Sequence, residues 1–324
     1  MARLLLGTRG SALARTQSEW VANVLRNTFA DLSVELRIIT TTGDRVLDVA
    51  LSAVGDKGLF VKELEQALLA GDVDLCVHSA KDMPTATPPG LMLSAFPVRE
   101  DPRDVLVVRH ADVGTDLATL PTGARIGTSS LRRASQLRYH RPDLHLNDVR
   151  GNVDTRLRKL ASDQYDALIL AAAGLRRLGL WDGTPGASIG AALVYPLDPS
   201  VMLPAVAQGI LAVETRTDDE TTNRLVAALD DSAARTAALA ERAFLRRLEG
   251  GCQIPVAAHA VLTEAGLHFR GMVGALDGST LVFAEQVGDP AQPEAVGIAV
   301  AEAVLAQGGE AILAAIRSQQ EAQR

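Results

Sequence analysis

One short signature stands twice in this chain, and each time it joins an apolar strand pattern to a helical one. Gly7-Thr8 is followed by Ser11, and Gly127-Thr128 by Ser129 and Ser130. Ahead of the first copy Leu4 to Leu6 form an apolar run, and behind it Leu13, Trp20, Val21, Val24 and Leu25 recur at helical spacing. The second copy follows Ala124-Arg125-Ile126 and leads into Leu131-Arg132-Arg133. A strand, a turn of small residues and a helix start present backbone N–H groups and hydroxyls at a helix amino terminus, which is a site for an anion. The repetition therefore predicts two α/β lobes of similar build that face each other.

Further strands are expected at residues 34–39, 74–78, 144–149 and 166–171, and a helix at about 60–70. Lys81 and Asp82 follow the strand at 74–78, at the end where open α/β sheets collect their ligands. Two segments read as crossings between the lobes: 98–104, VREDPRD, and a second around Asp198-Pro199 and Pro204. After it, 205–209 reads as a turn and 210–214 as a strand returning to the first lobe. Two crossings make a hinge, as in clamshell ligand-binding proteins. The stretch from Trp181 to Tyr195, rich in glycine and alanine, gives no clear element. From about Asp218 the pattern changes to helices at 221–229 and 233–248, alternating segments at 256–262, 267–273 and 280–287, and a helix from about 294: a small α+β domain. The expected domains are 1–99 with 200–218, 100–199, and 219–324, with the end from about Ser318 frayed.

The third section contains LEGGCQIP, residues 248–255, in which Cys252 follows two glycines at a helix end. Gly250 and Gly251 suit a helix stop and a tight turn that carries the thiol outward, and Pro255 keeps the helix from resuming. The alternative is a buried cysteine acting as a small hydrophobe. Cys76 is the only other cysteine, so no disulfide framework is in use and a reducing compartment fits. The apolar run at the amino terminus is too short for a signal peptide or a membrane span, which points to the cytoplasm.

The net charge of −7 and an aromatic content of 3% make nucleic acid a poor partner. Arginine nevertheless crowds the central block, which suits a small polyanion. Arg132, Arg133, Arg150 and Arg156 lie beside turns after strands, where guanidinium can grip carboxylates in a two-pronged way. Arg138, Arg141 and Arg158 fall on outer helical positions and read as a solvated basic face. Asp82 is either an acid/base group or a loop aspartate paired with Lys81. Cys76 and His78 share one strand face and read as core, with too few neighbours for a metal site. No glycine-rich phosphate loop is present, so a nucleotide is not expected.

Taken in order, TRGSALA, GDKGLFVKELE, VHSAKDMP, REDPRD, GTSSLRR, RGNVDTR, AAAGLRRLG, LPAVAQG and ERAFLRRLEGGCQIP resemble the porphobilinogen deaminase (hydroxymethylbilane synthase) family from the first strand to the last helix. The resemblance implies two lobes like those of type II periplasmic binding proteins, joined by a hinge, and a third domain presenting a cysteine with a covalent dipyrromethane cofactor. It implies a transferase of porphyrin and haem biosynthesis that joins four porphobilinogen molecules head to tail on that primer, with loss of ammonia, before water releases the linear tetrapyrrole. Every pyrrole carries an acetate and a propionate, so the growing chain is itself a small polyanion.

By the same resemblance Cys252 anchors the cofactor through a thioether, and Asp82 is the catalytic aspartate that helps protonate the leaving amine. Lys81, Asp82, Thr128, Ser129, Ser130, Arg132, Arg133, Arg150 and Gly151 would hold the cofactor, with Leu170 and Ala171 lining the site. Arg9, Ser11, Gln17, Lys57, Phe60, Arg150, Arg156, Arg177 and Gln208 would face substrate or the growing chain, Lys57 and Phe60 from a loop at the cleft mouth. No metal, nucleic acid or membrane is implied, and the family expectation is a monomer. Ala12 and Ala80 stand where the family often has proline and methionine, and residues 181–198 are longer than in some relatives. The competing reading is a non-catalytic cytoplasmic clamshell that binds a small polycarboxylate. It leaves Cys252 and the third domain without a purpose.

Overall fold

Strand β1 (Ala2–Thr8) turns its leucines inward and runs to Ser11, whose Oγ accepts from the Ala14 N–H at 3.3 Å and so caps helix α1 (Ala12–Thr28). The computed structural model describes residues 2–42, 61–110, 113–249 and 254–322. The chain divides into two units, Met1–Glu100 with Gly209–Ala238, and Asp101–Gln208 with Leu239–Arg324.

In the first unit β2 (Leu32–Ile38) and β3 (Leu75–Ser79) flank β1 in parallel. Helix α2 (Lys62–Leu69) precedes β3. Strand β11 (Leu211–Arg216) lies antiparallel between β3 and β4 (Leu91–Ala95), giving the order β2-β1-β3-β11-β4. Leu4, Leu6, Val21, Leu25, Leu75, Val77 and Val213 form its core.

The second unit repeats the plan. Strand β6 (Arg125–Gly127) lies parallel between β7 (His145–Asn147) and β8 (Ala167–Ala171), and β5 (Asp104–Val108) runs antiparallel beside β8. The order is β7-β6-β8-β5, continued by β10 (Ala192–Pro196) and β9 (Ala187–Ile189). In both sheets the first parallel strand lies between the other two, and a strand reached across a crossing packs antiparallel beside the third. Helices α3 (Leu131–His140) and α4 (Val153–Ala161) start on Ser130 and Asn152, whose side chains accept from the N–H groups of Arg133 and Thr155. Helix α5 (Ala172–Arg177) follows β8. The unassigned stretch becomes an edge hairpin, β9 (Ala187–Ile189) with β10 (Ala192–Pro196), and Trp181 is buried beneath it with Nε1 donating to the Thr184 carbonyl at 2.8 Å.

Helix α6 (Glu220–Val226) belongs to the first unit, and α7 (Ser232–Arg247) runs from the first unit into the second. There β12 (Val256–Thr263), β13 (Gly266–Gly274) and β14 (Leu281–Gly288) form an antiparallel meander, packed by α8 (Pro293–Val304). At Gly297 a Cβ would stand 2.1 Å from the Ala240 carbonyl oxygen, so α7 and α8 cross at backbone contact and only glycine fits. Instead of fraying from Ser318, helix α9 (Glu310–Ala322) continues, anchored by buried Leu313 and Ile316. The run 293–322 is long and apolar enough to cross a membrane, but Val296, Val300, Val304, Leu313 and Ile316 are buried within the protein.

Candidate active site

In the first unit, the candidate residues gather at the carboxyl ends of β1 and β3. Arg9 and Ser11 form the β1–α1 connection. Gln17, buried on α1, donates from Nε2 to Ser79 Oγ at 3.3 Å, and Ser79 closes β3 directly before the one-turn helix Ala80–Asp82. The Ala80 N–H donates to the Ile210 carbonyl at 2.9 Å, which fixes that turn on the start of β11. Asp82 is exposed, and among the described residues its carboxylate makes no ion pair. Lys81 beside it is partly buried.

Cys76 and His78 lie inside the sheet, and His78 Nε2 meets Glu214 Oε2 at 3.1 Å. Burial, and then the Glu214 carboxylate, push the Cys76 thiol well up, so it stays protonated and inert. Burial likewise raises the Glu65 carboxyl, with Glu214 adding to it. Among the described residues no cluster of histidine, cysteine or carboxylate is arranged to hold a metal ion.

In the second unit the candidates gather at the carboxyl ends of β6, β7 and β8. Ser129 Oγ donates to the Val149 carbonyl at 2.9 Å and accepts from the Val149 N–H at 3.0 Å, joining the loop after β6 to the loop after β7. Gly151 has φ +106°, and a Cβ there would lie 2.5 Å from Thr155 Cγ2, so this turn requires glycine. Arg156 Nε donates to the Gly151 carbonyl at 2.9 Å, and Lys159 Nζ to the Arg150 carbonyl at 3.2 Å. The Arg150 guanidinium itself, half-buried, has no ion pair among the described residues. Thr128 and Leu170 are buried, while Ala171 and Arg177 are partly exposed at the two ends of α5.

Arg132 and Arg133 are both buried, and they share a carboxylate that the sequence did not reveal. Arg132 Nη1 donates to Asp104 Oδ2 at 2.6 Å and to the Leu203 carbonyl at 2.8 Å. Arg133 grips Asp104 Oδ1 through Nη2 at 2.7 Å and Nε at 3.2 Å, and donates from Nη1 to the Ile169 carbonyl at 2.7 Å. Gln208 Nε2 reaches the same Oδ1 at 3.0 Å and the Pro102 carbonyl at 2.8 Å. Burial alone would raise the Asp104 carboxyl, but Arg132 and then Arg133 outweigh it and hold it well below the usual carboxylate range. Burial pulls the Arg132 guanidinium down; Asp104 opposes this and Arg133 adds to it. The carboxylate faces two cations and is the firmer partner. Arg132 Nε is buried and has no acceptor among the described residues.

Asp104 was missed because it closes a charged crossing segment. The available signal was a lone acid opening a strand, DVLVV, that is buried throughout. The basic-face reading needs correction at two positions. Arg138 donates to the Leu276 carbonyl at 2.6 Å, and Arg141 to Asp143 at 2.7 Å and the Leu120 carbonyl at 2.8 Å, so both bind the fold together. Among the described residues the Arg158 side chain reaches only Thr155, at 3.0 Å. Cys252, Lys57 and Phe60 lie outside the described residues.

Two sheets with this strand order, each offering polar and cationic groups at its carboxyl end, define a type II periplasmic-binding-protein-like fold. A family model described as porphobilinogen deaminase, dipyromethane cofactor binding domain, matches residues 4–224, and one described as porphobilinogen deaminase, C-terminal domain, matches 235–306. The chain is 54% identical to the porphobilinogen deaminase of Roseiflexus sp. (strain RS-1) over 96% of its own length and 98% of the relative's. It is 50% identical to that of Syntrophotalea carbinolica over 97% and 96%. The chain belongs to the porphobilinogen deaminase family.

Proposed function

We propose that the chain is a hydroxymethylbilane synthase: it condenses four porphobilinogen molecules head to tail, releasing one ammonia each, and one water frees the linear tetrapyrrole. The observation that carries this reading is the charge imbalance at the carboxyl end of the second sheet. Among the described residues Arg132 and Arg133 face one carboxylate, Arg132 Nε has no acceptor, and Arg150 stands near the same edge without an ion pair. A buried surplus of positive charge with an unused donor is unfavourable until an anion arrives. Dipyrromethane, with acetate and propionate on each ring, is an anion of that kind, so the residues present fit the cofactor that the family carries.

In this reading the cofactor supplies a free pyrrole carbon as the nucleophile for the first condensation. The chain's own groups do the rest. Lys81, Thr128, Ser129, Ser130, Arg132, Arg133, Arg150 and Gly151 bind cofactor carboxylates or shape their seat beside Leu170 and Ala171. Arg9, Ser11, Gln17, Lys57, Phe60, Arg156, Arg177 and Gln208 receive porphobilinogen or the lengthening product. Asp82, exposed in the one-turn helix after β3, gives the proton of its neutral carboxylic acid to the leaving amine, and the carboxylate this leaves stabilises the positive charge on the pyrrole, an effect worth roughly 10² to 10⁴ in rate. Asp82→Asn should keep the adduct and lose turnover by about that factor; near-normal turnover would remove Asp82 from the reaction.

Cys252 is the proposed anchor. Residues 1–99 with 200–218, 100–199 and 219–324 are the proposed domains. The chain is proposed to act as a cytoplasmic monomer without nucleic acid or membrane, supported by its net charge of −7, its scarcity of aromatics and its two cysteines. Intact mass of the purified protein beside Cys252→Ser, each treated with Ehrlich's reagent, tests the reading. A dipyrromethane-sized, Ehrlich-positive adduct on the unaltered chain alone is expected. An unmodified chain that also takes up nothing from preformed hydroxymethylbilane would favour the non-catalytic polycarboxylate binder.

A further inference from the structure

We infer that Asp104 is the positioning residue for the cofactor's arginines, setting the aim of Arg132 and Arg133 before any cofactor is present. The inference rests on the reading that these two arginines take cofactor carboxylates. Asp104 is fully buried at the start of β5, and the other residues of that strand are apolar and buried too, so its carboxylate has no route to solvent. Buried ion clusters are weak sources of stability, because desolvation cancels much of the attraction. What they supply is geometry. The Nε and Nη2 edge of Arg133 is clamped on Oδ1, which fixes the plane of the guanidinium, and Nη1 is held by the Ile169 carbonyl.

Arg132 is held from one side only. Its Nη1 spans Asp104 Oδ2 and the Leu203 carbonyl, and among the described residues its buried Nε is left with a proton and no acceptor. One carboxylate for two guanidiniums leaves one uncompensated positive charge. Adding a second acid here would neutralise the site, and removing Asp104 would set two like charges against each other.

The same oxygen also reaches the second crossing. Gln208 Nε2 bonds Asp104 Oδ1 and the Pro102 carbonyl, and Gln136 on α3 holds the Leu203 backbone through Oε1 at 2.7 Å and Nε2 at 3.1 Å. The aim of both arginines is thereby tied to chain segments on either side of the second lobe. A displaced carboxylate would turn both guanidiniums at once, while leaving every group that touches the ligand in the sequence.

The test follows uptake of hydroxymethylbilane by apo-protein from cells starved of porphobilinogen, read as adduct mass in the folded fraction, with a melting curve for each variant. Asp104→Asn should load roughly 10- to 100-fold more slowly than the unaltered chain, the range typical of losing a group that orients a ligand contact. Asp166→Asn, which weakens a carboxylate–guanidinium cluster at the opposite end of the same sheet, should load at the normal rate. Asp104→Glu keeps the charge and shifts the carboxylate, so slow loading is expected there too, whereas a role in charge balance alone predicts normal loading. Normal loading by folded Asp104→Asn overturns the inference, as does equal slowing by Asp166→Asn. If Asp104→Asn does not fold, Asp104→Glu decides by the same criterion; failure of both to fold overturns positioning in favour of a purely structural role. An unaltered chain that takes up nothing removes the parent reading, and this one with it.

Discussion

The two ends of the second sheet use the same pair of side-chain types to opposite effect. At the amino ends of β6 and β8, Arg125 donates to Asp166 through Nε at 3.1 Å and Nη2 at 2.9 Å, to Asp163 through Nη2 at 2.8 Å and to the Asp163 carbonyl through Nη1 at 2.9 Å. Arg109 joins the same two acids. Two cations meet two anions. At the carboxyl ends Arg132 and Arg133 meet one acid among the described residues, Asp104. Orphaned donors do not separate the two ends, since among the described residues Arg109 Nε and Arg132 Nε both lack partners. The charge balance does: among the described residues one end pairs two cations with two anions, and the other sets two buried cations against one anion.

Replacing Arg132 should break the comparison most severely. Arg132→Leu removes the surplus charge and two charge-assisted bonds, at about 1.5 to 3 kcal/mol each, and should abolish adduct formation in mass spectra. A variant that melts lower but loads fully would make the carboxyl end as structural as the amino end. Arg150→Leu should separate binding from stability. With no ion pair to lose, the fold should change by less than about 0.5 kcal/mol, while loss of a carboxylate partner weakens cofactor or early-chain binding by roughly 10- to 100-fold. Normal loading and elongation in that variant would return Arg150 to a solvated basic face.

Local signals in the sequence were sufficient for the elements that carry these groups. Ser11, Ser130 and Asn152 cap helices where small polar residues precede helical spacing, and the doubled Gly-Thr turn corresponds to two sheets of one plan. The β9–β10 hairpin was illegible because a strand as short as Ala187–Ile189 has no readable period and its register comes from pairing with β10. The fate of individual arginines was illegible for a different reason. Arg132 finds Asp104 across 28 positions and Arg138 finds Leu276 across 138, so the partner that sets each arginine's surroundings is supplied by the fold. Resemblance could assign roles to residues, but it could not reveal that Asp104 stands between two of them.

The smallest expected effect sharpens the comparison from the amino end. Hydrogen bonds from Arg125, only partly offset by burial, hold the Asp166 carboxyl below its ordinary value. A carboxyl depressed in the folded state contributes stability that is complete above its unfolded value, near pH 4, and is lost as the pH falls through the folded value. Arg125 is 38% exposed, so solvent screens the cluster and Asp166→Asn should cost only about 1 kcal/mol at pH 7. Melting curves of the two proteins should converge as the pH drops below about 4, and adduct loading at neutral pH should not differ. A gap in stability that persists into strong acid would mean that the amide disturbs packing instead of charge. Loss of loading at neutral pH would mean that the two ends of the sheet are coupled, and that the amino end takes part in holding the ligand.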